Sequence, residues 1–116
     1  MPRLGVYGTL RKGEGNHDFL RGCEYVGEKR LEGYSLHDAG YFPYAVREDG
    51  SEITIEIYDV EDVIIDHCDM LEGHPNHYRR TLVSVDGHPT FVYVAAQEEE
   101  VATFHEKIEG GDWMNR

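Results

Sequence analysis

Apolar and polar positions along the chain follow two periods, and they divide it into short strands and two helices. Ile53-Thr54-Ile55-Glu56-Ile57-Tyr58 alternates with period two, which predicts a half-buried strand. Arg3 to Tyr7 reads as a first strand, and Gly15 to Leu20 as one helical turn. Tyr25-Val26-Gly27 and Gly33-Tyr34-Ser35-Leu36 read as strand pieces closing in a turn at Asp38-Ala39-Gly40. Leu82 to Val85 and Phe91 to Val94 flank Asp86-Gly87, the signature of a tight hairpin. Val60, Val63, Ile64, Cys68 and Leu71 recur with helical spacing and form one face. Asp59 is the expected cap of that helix, and Gly73 and Pro75 are its expected stop. Val101, Phe104 and Ile108 mark a second helix ended by Gly110-Gly111. The class is α+β: a small, mixed, strongly bent β-sheet or barrel with one or two packed helices, in a single domain over residues 1–116.

Composition changes this picture only at its surface. The formal net charge is −12, from 11 basic and 23 acidic residues. Such a chain repels phosphate at long range, which argues against nucleic acid and anionic membranes as partners. It leaves room for a small anionic ligand held by local backbone dipoles. No run approaches the ~20 apolar residues of a membrane helix, and MPRLGVYG at the start has no signal-peptide pattern. Cys23 and Cys68 are far apart, without metal-ligand spacing, and read as reduced thiols. A cytoplasmic location is the expectation.

The first candidate for chemistry is the stretch LGVYGTLRKGEGNH, Leu4 to His17. An apolar run stops at a glycine, and a hydroxyl residue, two cations and two more glycines follow. Glycine admits close backbone approach, and exposed N–H groups bind anions. It is not a nucleotide loop. Gly8 and Gly13 have the P-loop separation, but Glu14 stands where Lys is needed, and Gly13-x-Gly15 is followed by Asp18 where the dinucleotide fingerprint needs its third glycine. From its residues alone the stretch is either an ordinary strand-to-turn glycine or a cradle for a smaller anion.

The second candidate is Glu72. Ile64, Cys68 and Glu72 are spaced by four and lie in one helical row, so an apolar row ends in a carboxylate. If Glu72 faces inward, burial raises its pKa toward the range useful for proton transfer. If the last turn bends outward, it is an ordinary surface charge. His67, His74 and His77 crowd the same region, but Pro75 separates the last two and no ligand spacing is closed, so no metal site is expected.

Taken together, these residues resemble the γ-glutamylcyclotransferase-like family, also called the AIG2-like or BtrG-like fold, and its smaller members of the γ-glutamylamine cyclotransferase type. The resemblance is carried by Val6-Tyr7-Gly8-Thr9-Leu10-Arg11-x-Gly13-x-x-Asn16-His17 and by the turn Gly40-Tyr41-Phe42-Pro43. It continues in Cys68-Asp69-x-Leu71-Glu72-Gly73-His74-Pro75-x-x-Tyr78-x-Arg80, in Val92-Tyr93-Val94, and in Ile108-x-Gly110-Gly111-Asp112-Trp113. Two departures stand out. Glu56-Ile57-Tyr58 replaces a Gly-Glu-aromatic run, and Tyr44 follows the turn proline where a small residue is usual.

The resemblance implies a small barrel with a pocket at its mouth and a cofactor-independent reaction of the transferase or lyase type. In that reaction a γ-glutamyl amine cyclises to 5-oxoproline and releases the free amine. It implies Glu72 as acid/base and Tyr7, Gly8, Thr9 and Leu10 as the substrate loop; Tyr78 is a further candidate for closing the pocket. The amine is a γ-glutamyl-linked amino acid, an ε-linked lysine or a biosynthetic intermediate. The chemistry suits the residues, because a tethered α-amine is its own nucleophile and no catalytic triad is needed. Two alternatives are a binding module on the same fold without turnover, and an amide hydrolase using Glu72 and water.

Overall fold

The computed structural model describes residues 1–116. Strands β1 (Arg3–Val6), β2 (Glu24–Asp38), β3 (Pro43–Asp59), β4 (Tyr78–Val85), β5 (His88–Ala95) and β6 (Glu106–Lys107) form one sheet in the order β4-β5-β1-β3-β2-β6. Helix α1 (Asp62–Glu72) follows β3, and α2 (Glu98–Phe104) follows β5. All neighbouring strands are antiparallel except β1 and β5, which run parallel with Leu4 opposite Phe91. The short N-terminal strand therefore lies inside the sheet, between β3 and β5.

The sheet must curl. At ~3.3 Å per residue, a straight strand the length of β3 would span roughly 55 Å, yet the molecule is 36 Å along its longest axis. The bend occurs where register shifts, between Tyr25 and Gly27 and between Glu32 and Tyr34 of β2. The two expected strand pieces are thus one bent strand. The curl creates two cores. Leu4, Val6, Tyr44, Tyr58, Tyr78 and Tyr93 pack toward α1 with Ile65 and Cys68. Leu36, Ile53, Ile55, Ile57, Val92 and Trp113 fill the opposite face.

Several sequence expectations are corrected here. The segment Ile53 to Tyr58 is not half-buried. All six residues are buried, because β3 is central and both faces are covered, and the polar Thr54 and Glu56 are satisfied internally. Asp59 does not cap α1. It is the last residue of β3, opposite Arg3, and lies 3.5 Å from its guanidinium. The helix starts three residues later, so its inward face shifts. Ile65 and Cys68 are buried while Val63 is 52% exposed, and Val60 is buried outside the helix. The second helix ends at Phe104, which is exposed, and Ile108 is buried in the segment after β6. The Asp86-Gly87 turn joins β4 and β5 as expected, with both residues at positive φ, and Gly73 ends α1 in the left-handed conformation.

Gly110 and Gly111 each precede the terminal turn at positive φ, but only Gly111 is enclosed. A Cβ there would lie 2.1 Å from the Glu52 carbonyl oxygen, whereas Gly110 has open space around it. Gly111→Ala is therefore expected to cost more than ~3 kcal/mol in urea unfolding, and Gly110→Ala about 1 kcal/mol, the cost of the backbone conformation alone.

Candidate active site

The loop after β1 has an unusual hydrogen-bond balance. Its carbonyls are taken: Gly8 O accepts from Arg11 N at 3.0 Å, Thr9 O from Asn16 N at 2.9 Å, and Leu10 O from His17 Nδ1 at 2.9 Å. The N–H groups of Gly8, Thr9 and Leu10 donate to nothing in the protein. Asn16 also donates to Thr9 Oγ1 at 3.0 Å, so it pins the loop from two sides. Free adjacent N–H groups form a cradle for negative charge.

The loop is held by a cation the sequence reading passed over. The Arg11 side chain is only 4% exposed and lies 2.9 Å from Glu56, 2.7 Å from Asp112 and 3.4 Å from Glu28. Glu56 also accepts from Lys12 N and from the Tyr58 hydroxyl, at 2.9 and 3.0 Å. Gly8 itself is pressed against Pro43 of β3, where a Cβ would meet the proline ring at 2.7 Å. In the sequence, Arg11 and Asp112 stand in two of the motifs that carry the resemblance and Glu56 in a departure from it, but nothing local joins the three.

On the other side of the same recess stands Glu72, in the last turn of α1. The recess is lined by Gly5 to Leu10, Phe42, Pro43, Glu72, Tyr78 and Tyr93, so Tyr7, Gly8, Thr9, Leu10, Glu72 and Tyr78 border one space, while His67, His74 and His77 lie outside its lining. Among the residues lining the recess, only Thr9, Phe42 and Glu72 are less than fully buried, and they frame its mouth. The enclosed space is about 20 Å³, room for a water or two. The hydroxyls of all three tyrosines are already committed, that of Tyr93 to Asp69 Oδ1 at 2.6 Å. Tyr7 donates to Tyr93 O at 2.6 Å and accepts from Ala45 N at 3.1 Å, and Tyr78 donates to Pro43 O at 2.7 Å. Their rings shape the wall, and the loop's N–H groups remain the free donors.

Burial pushes the Glu72 carboxyl up to about 7. No side chain pairs with it, and α1 carries no basic residue in its last turn, where the helix dipole already disfavours an anion. Burial first, and the Glu72 charge after it, hold the Tyr7 hydroxyl well above its ordinary range. Of the three histidines considered above, His74 accepts from Arg80 N at 2.9 Å, and His77 pairs with the Tyr44 hydroxyl. No three His, Cys, Asp or Glu side chains converge at metal-binding distance.

Residues 4–115 match the family model described as gamma-glutamyl cyclotransferase, AIG2-like. The chain belongs to this family. A Vibrio cholerae protein provisionally named a gamma-glutamylcyclotransferase is 33% identical, over 96% of this chain and 94% of its own. Among solved structures, an uncharacterised protein of Pyrococcus horikoshii superposes with a TM-score of 0.83 at 31% identity, covering 99% of this chain and 92% of that one. A mouse AIG2-like protein superposes with a TM-score of 0.80 at 27% identity, covering 94% and 86%. The curled six-stranded sheet with two helices is the AIG2-like fold, and the recess lies where β1 leaves that sheet.

Two measurements check this site without reference to activity. A carboxyl with a pKa of about 7 when folded and 4.5 when unfolded binds more protons in the native state between those pH values. The stability that Glu72 itself contributes is therefore fully present below pH ~4.5 and is lost as pH rises toward 7. Glu72→Gln is expected to be ~2–3 kcal/mol more stable than wild type at pH 8 and equal to it near pH 4. Arg11→Leu leaves Glu56 buried without its cation and is expected to cost about 3–5 kcal/mol in denaturant unfolding.

Proposed function

We propose that the protein cyclises a γ-glutamyl amine to 5-oxoproline and releases the free amine, with Glu72 as general acid and base. The observation that carries this reading is the pairing, in one recess, of an unpartnered carboxyl raised to about 7 with three consecutive free backbone N–H groups.

The substrate supplies its own nucleophile. Its α-amine attacks the γ-carbonyl, forming a C–N bond in a five-membered ring, and the original amide C–N bond breaks. The attacking ammonium loses two protons in becoming the ring N–H, and the departing nitrogen gains two in leaving as an ammonium. Glu72 relays them one at a time, taking each from the attacking nitrogen and giving it to the leaving one. The N–H groups of Gly8, Thr9 and Leu10 receive the negative charge of the head group and of the developing oxyanion. Net charge is unchanged and no electrons transfer, so the step needs no cofactor. The enclosed part of the recess holds only a water or two, so substrate entry widens its open mouth, where the half-buried Phe42 is the side chain placed to move.

Glu72→Gln is expected to lower kcat by at least ~10²-fold, the usual weight of general acid–base catalysis, while circular dichroism stays unchanged. In wild type, kcat/KM should fall as pH drops through about 7, because protonated Glu72 cannot accept a proton. The product identifies the reaction: 5-oxoproline supports cyclisation, free glutamate would mean hydrolysis, and binding without product would mean a non-catalytic module.

The loop is tested separately. Gly8→Ala forces the loop off Pro43 and is expected to lower kcat/KM by more than tenfold. Thr9→Ser keeps the acceptor for Asn16 and should stay within about threefold. The reverse order would overturn the role given to the backbone.

A further inference from the structure

A second groove opens beside the recess, on the same face of the sheet. It is walled by Tyr44, His77, Gln97, Glu100, Phe104 and His105. The two depressions share a partition. Pro43 and Tyr78 line the recess, while their chain neighbours Tyr44 and His77 line the groove. Phe42, at the mouth of the recess, stands edge-on to Tyr44 and His77, with ring centroids 5.4 and 5.9 Å apart. The Tyr44 hydroxyl is bonded to His77 Nε2, and its ring lies 4.9 Å from Tyr78 and 5.8 Å from His105. Phe42 is therefore the point at which the recess borders the groove.

The groove's chemistry is selective. No lysine or arginine lines it. Glu98 is occupied by Arg47 N at 2.8 Å, but Glu100 enters no ion pair. Phe104 is 75% exposed on the rim, an apolar surface that core packing does not account for. Aromatic walls and an unpaired carboxylate together suit an organic cation, through ring faces and charge.

We infer that this groove is the specificity site for the leaving amine, and that it favours amines carrying a second ammonium on an apolar chain. The chain lies along Tyr44 and Phe104, and the ammonium meets Glu100. This inference rests on the reaction proposed above.

The test uses three γ-glutamyl conjugates of matched length, made with 1,6-diaminohexane, 1-aminohexane and 6-aminohexanoate, and 5-oxoproline as the readout. The diamine conjugate is expected to have a kcat/KM at least about threefold above the neutral one, with the carboxylated one lowest. Glu100→Gln should erase the diamine advantage and bring the diamine conjugate to the rate of the neutral one, the small effect expected of a solvent-accessible ion pair. Equal rates for all three, or an advantage that survives Glu100→Gln, overturn the inference. Free 1,6-diaminohexane added to the ¹⁵N-labelled protein separates the two readings. Amide shifts at Gln97 to His105, absent in Glu100→Gln, support the groove even if no conjugate turns over, in which case the reaction is what fails. Turnover without preference sinks the groove and leaves the reaction standing.

Discussion

The buried guanidinium of Arg11 is the contact on which the site depends. One side chain binds carboxylates from β2, β3 and the C-terminal segment, and it does so at the end of the loop that carries the free N–H groups. Glycines at 8, 13 and 15 would otherwise leave that loop mobile. A charge buried this deeply is costly unless it is paired with good geometry. Glu56 meets that condition, and by also accepting from Lys12 N it converts the pairing into a restraint on the backbone itself. In so acidic a protein, the arrangement places positive charge behind the loop without presenting it in the recess.

The two halves of the recess are complementary in what they lack. Glu72 is disfavoured as an anion by burial and by its place at the end of α1, and nothing in the protein donates to it. The loop opposite has donors with no acceptor. Under the proposed function, one α-amino acid head answers both, with its carboxylate and oxyanion on the N–H groups and its amine beside Glu72. A pKa of about 7 is then a consequence of an environment kept deliberately incomplete.

What the sequence made legible follows from the range of the forces involved. The row of Ile64, Cys68 and Glu72 depends only on four-residue spacing within one helix, so it was legible even though the start of the helix was not, but whether Glu72 turns inward or out to water at the helix end was not legible from that spacing. The Asp86-Gly87 hairpin is equally local. Asp59 misled because a residue with good capping chemistry is just as usable at a strand end when Arg3 lies opposite. Phe104 looked like core because its spacing is helical, but α2 ends there and the ring faces outward. The buried state of Arg11 could not be read locally, since two of its partners are 45 and 101 residues away. The Tyr44–His77 pair and the contact of Gly8 with Pro43 are hidden for the same reason.

The strand order has a consequence for how the molecule is made. β1 is synthesised first but lies between β3 and β5, and its parallel pairing joins Leu4 to Phe91. Contacts of such long range form slowly, because the entropy of loop closure is lost before they contribute. During synthesis the β2–β3 ribbon can assemble early, while the N-terminal loop waits for the last hairpin and then for Asp112. The recess is thus among the final parts of the chain to close, and a ligand bound there would act as a late lock on the folding of the whole domain.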